Sequence, residues 1–193
     1  MTTSGADSNS TPDPSLSRLG NQAREAIDRL GVVVPDVPAP GIQFRDLTPV
    51  FADAAAFRVV IDAIAEAFAG RFDAVAGVEA RGFLLAGAVA YATGTGLVAI
   101  RKEGKLPRRV YREAYDLEYG QAALEIHTSD LAPGARVLVL DDVLATGGTL
   151  AAACTLLERA GAVVVGCAVV LEITELAGRA PLAGRTVLAL ESV

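Results

Sequence analysis

The chain has 193 residues, 52% of them hydrophobic and only 5% aromatic, with 19 glycines and 21% charged residues. That length gives one ordinary domain a sizeable core, and the composition excludes a disordered acidic tail, a coiled coil and a collagen-like repeat. Seventeen Lys and Arg against 23 Asp and Glu leave a net charge of −6, which argues against general attraction to nucleic acid or to an anionic membrane. Any anion must be captured by a local patch.

Residues 1–14 are rich in Ser, Thr, Asp and Pro and lack the basic and apolar regions of a signal peptide, so they read as a solvated tail. Leu16, Leu19, Ala23, Ile27 and Leu30 then recur at helical spacing, with Ser15 as the expected cap and Gly31 as the stop. Pro35, Pro38 and Pro40 with Gly41 impose an extended connection up to Phe44, Arg45 and Asp46. Asp53 opens a second helix whose stripe is Phe57, Val60, Ile61, Ile64 and Phe68.

Strands and helices alternate from there. Strands are expected over 74–78, 97–100, 137–140, 163–171 and 186–190, with helices over 81–92 and 150–160. The polar, basic segment 101–112 reads as a loop, and 110–117 with 122–126 as a hairpin turning at Tyr119 and Gly120. The charge-free run 82–100 has nearly the length of a membrane span, but Thr93, Gly94, Thr95 and Gly96 break it where backbone groups would be left unpaired. A membrane partner is not expected. Apolar strands alternating with helices predict an α/β fold with a mostly parallel sheet covered on both faces, whose ligands bind at the C-terminal strand ends. Cys154 and Cys167 both sit in apolar surroundings and read as buried, reduced thiols of a cytoplasmic protein.

The strongest signal is the apolar run 137–140 followed by Asp141, Asp142, Val143, Leu144, Ala145, Thr146, Gly147, Gly148 and Thr149, and then a helix. The Gly/Thr turn offers backbone N–H groups, two hydroxyls and a helix N-terminus to an oxyanion. The two carboxylates would repel a phosphate they faced, but suit sugar hydroxyls or a divalent cation. A ribose and its phosphate fit both halves. Neither a Walker loop nor a Gly-x-Gly-x-x-Gly fingerprint is present. Six basic residues (Arg101, Lys102, Lys105, Arg108, Arg109 and Arg112) stand against the single acid Glu103, a pattern open to reading as a polyanion sink, a solvated loop or a partner surface. Gly104 and Pro107 would give such a segment a mobile and a stiff section.

The segment 137–149 resembles the phosphoribosyl-diphosphate (PRPP) motif of the type I phosphoribosyltransferases. Gly41–Asp46, Glu79–Phe83, Arg101–Pro107 and Leu117–Gly120 resemble adenine phosphoribosyltransferases in the same order, so the likeness runs from about Val34 to Glu172. The resemblance implies one phosphoribosyltransferase domain over 15–193, with a small N-terminal hood over about 32–50 and a core from about 51. It also implies a homodimer and transfer of the phosphoribosyl group of PRPP to adenine, giving AMP and diphosphate.

By the same resemblance, Ala145, Thr146, Gly147, Gly148 and Thr149 hold the 5′-phosphate. Glu79, Ala80, Arg81, Lys102 and Lys105 handle the diphosphate, with a non-proline cis bond between Glu79 and Ala80. Asp141 and Asp142 hold the ribose hydroxyls. Gln43 and Arg45 read the base edge through their backbones, and Phe44 and Val143 stack on adenine. Glu118 handles the N7 proton. Mg²⁺ is expected to ride on substrate oxygens rather than in a dedicated protein cage. Taken as residues alone, Arg81 could instead pair with Glu79, Phe44 could anchor the core, Glu118 could be a turn carboxylate and His127 reads as structural. A phosphoribosyltransferase for another purine, or a PRPP-sensing regulator, remains open at this level.

Overall fold

A computed structural model describes residues 16–37, 43–116 and 121–193. The chain forms two compact units, one ending at Ala63 and the other running from Ile64 to Val193.

In the first unit, α1 (Arg18–Leu30) is capped by Ser17, whose hydroxyl accepts from the Gly20 N–H at 3.1 Å. The cap thus lies two residues after the expected Ser15, which falls outside the described residues. The connection expected to be merely extended contains an antiparallel pair, β1 (Val32–Pro35) and β2 (Gln43–Asp46), with Val34 opposite Phe44. Three successive β-branched valines favour that pairing. The Asp46 carboxylate then accepts from the Thr48 N–H at 2.9 Å, which turns the chain into the short α2 (Thr48–Ala52). Asp53 starts α3 (Ala54–Ala67) as expected, its carboxylate accepting from the Ala56 N–H at 2.8 Å, and the last turn of this helix belongs to the second unit.

The second unit is built on a seven-stranded sheet in the order β5-β6-β4-β3-β7-β8-β9. Its strands are β3 (Ala74–Val78), β4 (Gly96–Lys102), β5 (Val110–Asp116), β6 (Gln121–His127), β7 (Arg136–Leu144), β8 (Val163–Glu172) and β9 (Val187–Ser192). From β4 to β9 neighbours are parallel, and the β5–β6 hairpin adds antiparallel to β4. This is the mostly parallel α/β sheet expected. The helices are α4 (Gly82–Thr93) and α5 (Gly148–Arg159), followed by single 3₁₀ turns at Thr174–Leu176 and Ala180–Leu182.

Alternation along the strands fills both faces. Ala76, Val98, Ile126, Val139 and Val169 pack with Leu150, Leu156 and Leu157 of α5. Toward α4, Gly77 has no room for a side chain, because a Cβ there would lie 2.6 Å from the Gly82 carbonyl oxygen and 2.7 Å from the Ala86 Cβ. α4 therefore sits directly on the sheet. β7 runs four residues beyond the expected 137–140, so Asp141 and Asp142 belong to the strand itself, Asp141 pairing in register with Val169. Likewise β4 continues through Arg101 and Lys102 into the segment expected to be loop. Among the described residues no helix is long and apolar enough to cross a membrane.

Candidate functional site

The parallel strands β3 and β7 are neighbours, with Gly77 opposite Leu140, so the loops leaving their C-terminal ends come together. The first loop enters α4 through Glu79, Ala80 and Arg81, and the Glu79–Ala80 peptide bond is cis, as expected. Gly82 lets this loop approach β7, since a Cβ there would lie 2.6 Å from the Leu140 carbonyl oxygen. The second loop leaves β7 at Leu144 and enters α5. Gly147 turns it with φ +81°, a left-handed conformation that favours glycine. The amides of Gly148 and Thr149 then open the helix.

A cleft of about 510 Å³ lies between the two loops, walled by Glu79, Ala80, Arg81, Lys102, Asp141, Asp142 and Thr149, with Tyr115, Ala122 and Leu124 from the hairpin. A smaller recess of about 70 Å³ is lined by Ala145, Thr146, Gly147 and Thr149, together with Asp141 and Val143. The structure therefore gathers most of the expected diphosphate and ribose residues around the cleft and most of the expected phosphate residues around the recess, with Asp141 and Thr149 lining both. Tyr115, Ala122 and Leu124 were not foreseen there, because nothing local in a hairpin strand says which face meets a cleft.

The cations and carboxylates are matched in pairs. Arg81 forms an ion pair with Asp142. Glu79, its side chain only 10% exposed, accepts from Lys105 Nζ at 2.6 Å, the Lys102 N–H at 2.9 Å and Arg101 Nε at 3.4 Å. Burial pushes the Glu79 carboxyl up, but the hydrogen bonds from Lys105 and the Lys102 amide outweigh it and hold the group at about 2. Asp141 behaves oppositely. Burial first, and the Asp142 carboxylate second, raise it well above the usual carboxylate range. The adjacent aspartates are thus different groups: one bound to a guanidinium, the other biased toward its neutral form.

The basic segment is similarly compensated. Arg112 binds Glu103 at 2.6 Å, and Arg108 binds Asp130 at 3.0 Å. Glu79 takes Lys105 and Arg101. The one acid inside the segment is thus joined by Glu79 and Asp130, which reach it from more than 20 residues away.

Gln43, Phe44 and Arg45 stand on β2 of the first unit, where the Arg45 guanidinium is held by Asp28 of α1 at 2.8 Å. Val143 is on β7 of the second unit. Glu118 and the hairpin turn lie outside the described residues, as do Gly41 and the tail. His127 is buried at the end of β6, opposite Val110. Sequence reading also missed Gly178. A Cβ there would strike the Ala145 carbonyl oxygen and lie 2.8 Å from Leu144 Cδ1, so this glycine lets the segment between the two 3₁₀ turns press against the phosphate loop from behind.

Comparison with known proteins agrees with this geometry. The model of the phosphoribosyl transferase domain matches residues 50–182. An adenine phosphoribosyltransferase of Renibacterium salmoninarum is 66% identical over 166 residues, covering 86% of this chain and 91% of that protein. The crystal structure of adenine phosphoribosyltransferase from Rhodothermus marinus superposes with a TM-score of 0.83 at 44% identity, covering 89% of this chain and 99% of that one. That from Saccharomyces cerevisiae, complexed with an iminoaltritol bisphosphate and adenine, gives 0.83 at 34% identity, covering 88% and 98%. With the family model matching residues 50–182 and relatives this similar covering most of the chain, the chain belongs to the phosphoribosyltransferases, in the adenine phosphoribosyltransferase branch.

Proposed function

We propose that the protein acts in purine salvage, transferring the phosphoribosyl group of PRPP to adenine to give AMP and diphosphate. The observation that carries this reading is the single cleft onto which the loop of Glu79, Ala80 and Arg81, the carboxylates of Asp141 and Asp142, and Thr149 of the α5 N-terminus all converge. Those are the parts a sugar carrying a phosphate at one end and a diphosphate at the other requires. Adenine is the base because the relatives that cover most of this chain bear that name, and the yeast relative was crystallised with adenine.

The residues divide the work. The 5′-phosphate sits on the amides and hydroxyls of residues 145–149, where the helix end favours an anion. Arg81, Lys102 and Lys105 take the diphosphate, and the Arg81 guanidinium can bind it as a fork. As the bond from ribose C1 to the diphosphate oxygen breaks, positive charge builds on the ribose, as in glycoside cleavage. Asp142 opposes that charge, and Asp141 beside it meets a ribose hydroxyl. Adenine N9 attacks C1, with Phe44 and Val143 stacking on the base, the Gln43 and Arg45 backbones reading its edge and Glu118 handling the N7 proton. Mg²⁺ would be held mostly by substrate oxygens and water, and it would supply charge neutralisation on the leaving diphosphate.

A second copy of the chain belongs in this reading. The helix α4 carries no charged residue, and Leu84 (56% exposed) and Tyr91 (92% exposed) lie on its outer side; a homodimer would cover them. The buried free thiols Cys154 and Cys167 support a cytoplasmic setting.

The reaction is tested with a panel of purines in the presence of PRPP and Mg²⁺, following diphosphate release. Adenine should exceed hypoxanthine, guanine and xanthine by at least about 100-fold in kcat/KM, the discrimination expected when wrongly paired polar groups are buried. Equal turnover of an oxo-purine would overturn the assignment of the base.

A further inference from the structure

Two thiols that the reaction does not use face each other inside the second unit. Cys154 projects from α5 and Cys167 from β8, both are fully buried, and their sulfurs lie 3.4 Å apart. They are 13 residues apart in sequence, on elements joined only through the turn at Gly161. Nothing in the spacing of the two cysteines foretold the contact.

We propose that Cys154 and Cys167 are a redox-active dithiol, closing to an intramolecular disulfide when the folded protein meets a peroxide. The sulfurs need to approach by about 1.4 Å to reach bonding distance, because a disulfide is about 2.05 Å long. The two thiols share one hydrogen bond, and the charges of Arg185 and Glu158 reach both of them. The hydrogen bond shared with Cys167 lowers the Cys154 thiol against the opposing effect of burial, and the charge of Arg185 lowers it further. The same hydrogen bond, with burial, raises Cys167 far above the ordinary thiol range. Arg185 is itself fixed, by a two-pronged bond to Glu158 at 2.5 and 3.0 Å. Glu158 is one helical turn beyond Cys154 on α5, so cation and thiol share one side of that helix.

The chemistry balances with the peroxide as the only oxidant. Cys154 Sγ, as thiolate, attacks one peroxide oxygen; the O–O bond breaks, and the departing hydroxide takes a proton to become water. Cys167 Sγ then attacks the resulting sulfenic sulfur, the S–O bond breaks, and the proton given up by Cys167 leaves with that oxygen as the second water. Two thiols are oxidised, and one hydrogen peroxide is reduced to two waters. The covalent link would join α5 to β8. Cys154 lies six residues beyond Gly148, about 9 Å along the helix that opens at the phosphate loop.

The test treats the full-length folded protein with hydrogen peroxide, quenches with an alkylating agent under denaturing conditions, and reads intact and peptide masses. The expected product is 2 Da lighter, with the Cys154 and Cys167 peptides linked, reversible by dithiothreitol. Its thermal midpoint should rise by about 5–10 °C, because the link restricts the unfolded chain. Cys167→Ala should stop at a Cys154 sulfenate that dimedone traps, while Cys154→Ala should consume peroxide at least about tenfold more slowly. Two unmodified thiols after treatment that converts free cysteine, independent +32 or +48 Da adducts, or disulfides between chains would each overturn the proposal. Single variants that react at equal rates would overturn the assignment of Cys154 as the attacking group.

Discussion

Replacing Gly178 by Ala asks whether a residue outside every recognisable motif shapes the phosphate loop. Its φ is not in the left-handed region that favours glycine, so the perturbation is mainly steric. The new methyl would collide with the Ala145 carbonyl oxygen and stand 2.8 and 2.9 Å from Leu144 Cδ1 and Cγ. Leu144 is 1% exposed and locked in the core, and a backbone carbonyl has no alternative rotamer, so the loop itself must move. Overpacking of this kind costs about 1–3 kcal/mol. At about 2–4 °C per kcal/mol for a chain of this size, a cost of about 2 kcal/mol lowers the thermal midpoint by about 4–8 °C. Ala145 opens the proposed 5′-phosphate cradle, so kcat/KM for PRPP should fall at least about tenfold, the scale on which small misplacements act. Gly96→Ala is the matched control, because its methyl would meet the Ala74 Cβ at 3.6 Å, an ordinary contact; it should stay within about 0.5 kcal/mol of the parent. Differential scanning fluorimetry and initial rates at varied PRPP decide the matter. A Gly178→Ala protein with an unmoved midpoint and unchanged PRPP kinetics would refute the steric argument.

Asp142→Asn should lower kcat about 100-fold or more while changing AMP affinity only a few-fold, since the lost charge matters most as the ribose becomes positive; titration calorimetry beside steady-state rates separates the two. Glu79 is held at about 2 against an ordinary 4.5, so its contribution is complete above about pH 4.5 and drains away as the pH falls toward 2. Glu79→Gln should flatten the thermal midpoint over that interval, and an equally steep fall would count against the Lys105 clamp. Asp73, lowered to about 2 by hydrogen bonds from the Arg136 side chain and amide, shares the acid window but belongs to an exposed pair just before β3, so Asp73→Asn should flatten the curve far less than Glu79→Gln and leave PRPP kinetics unaltered. On light scattering the protein should show twice its 19.8 kDa chain mass, and Leu84→Glu with Tyr91→Glu should reduce it to one chain. A dimer that survives both charges would place the interface elsewhere.

Strand and helix identities in the second unit were legible because apolar runs of four to ten residues alternate with helical stretches, and the glycines that end them are unambiguous. The rule that parallel strands present ligands at their C-terminal ends located both loops without coordinates. What stayed hidden depends on contacts between distant residues. Arg81 finds Asp142 only because β3 and β7 are neighbours in register. Lys105 finds Glu79 only because β4 flanks β3 on the other side. Sequence reading ended β7 at the last apolar residue, but pairing of Asp141, Val143 and Leu144 with β8 carries the strand through the carboxylates. The β1–β2 pair was obscured by its prolines, which made the stretch look like simple connection. Gly178 gave no signal because close approach, unlike a left-handed turn, leaves no local pattern.

The pairing of charge in the cleft has a consequence for the order of events. A cluster of cations in an acidic protein would ordinarily be a standing attraction for any anion, yet Arg81 and Lys105 are each held by a partly desolvated carboxylate. An anion must therefore outcompete Asp142 or Glu79, and a monovalent one has little advantage over a carboxylate already in place. A diphosphate presents more charge and a geometry that a guanidinium can grip at two oxygens. On the proposed reaction, a diphosphate that draws Arg81 away leaves Asp142 without its cation beside the ribose, where positive charge is about to form. Leaving-group capture and stabilisation of the developing cation then become one exchange of partners. A truncated substrate lacking the diphosphate would leave the Arg81–Asp142 pair intact, and so would meet neither the grip nor the released carboxylate.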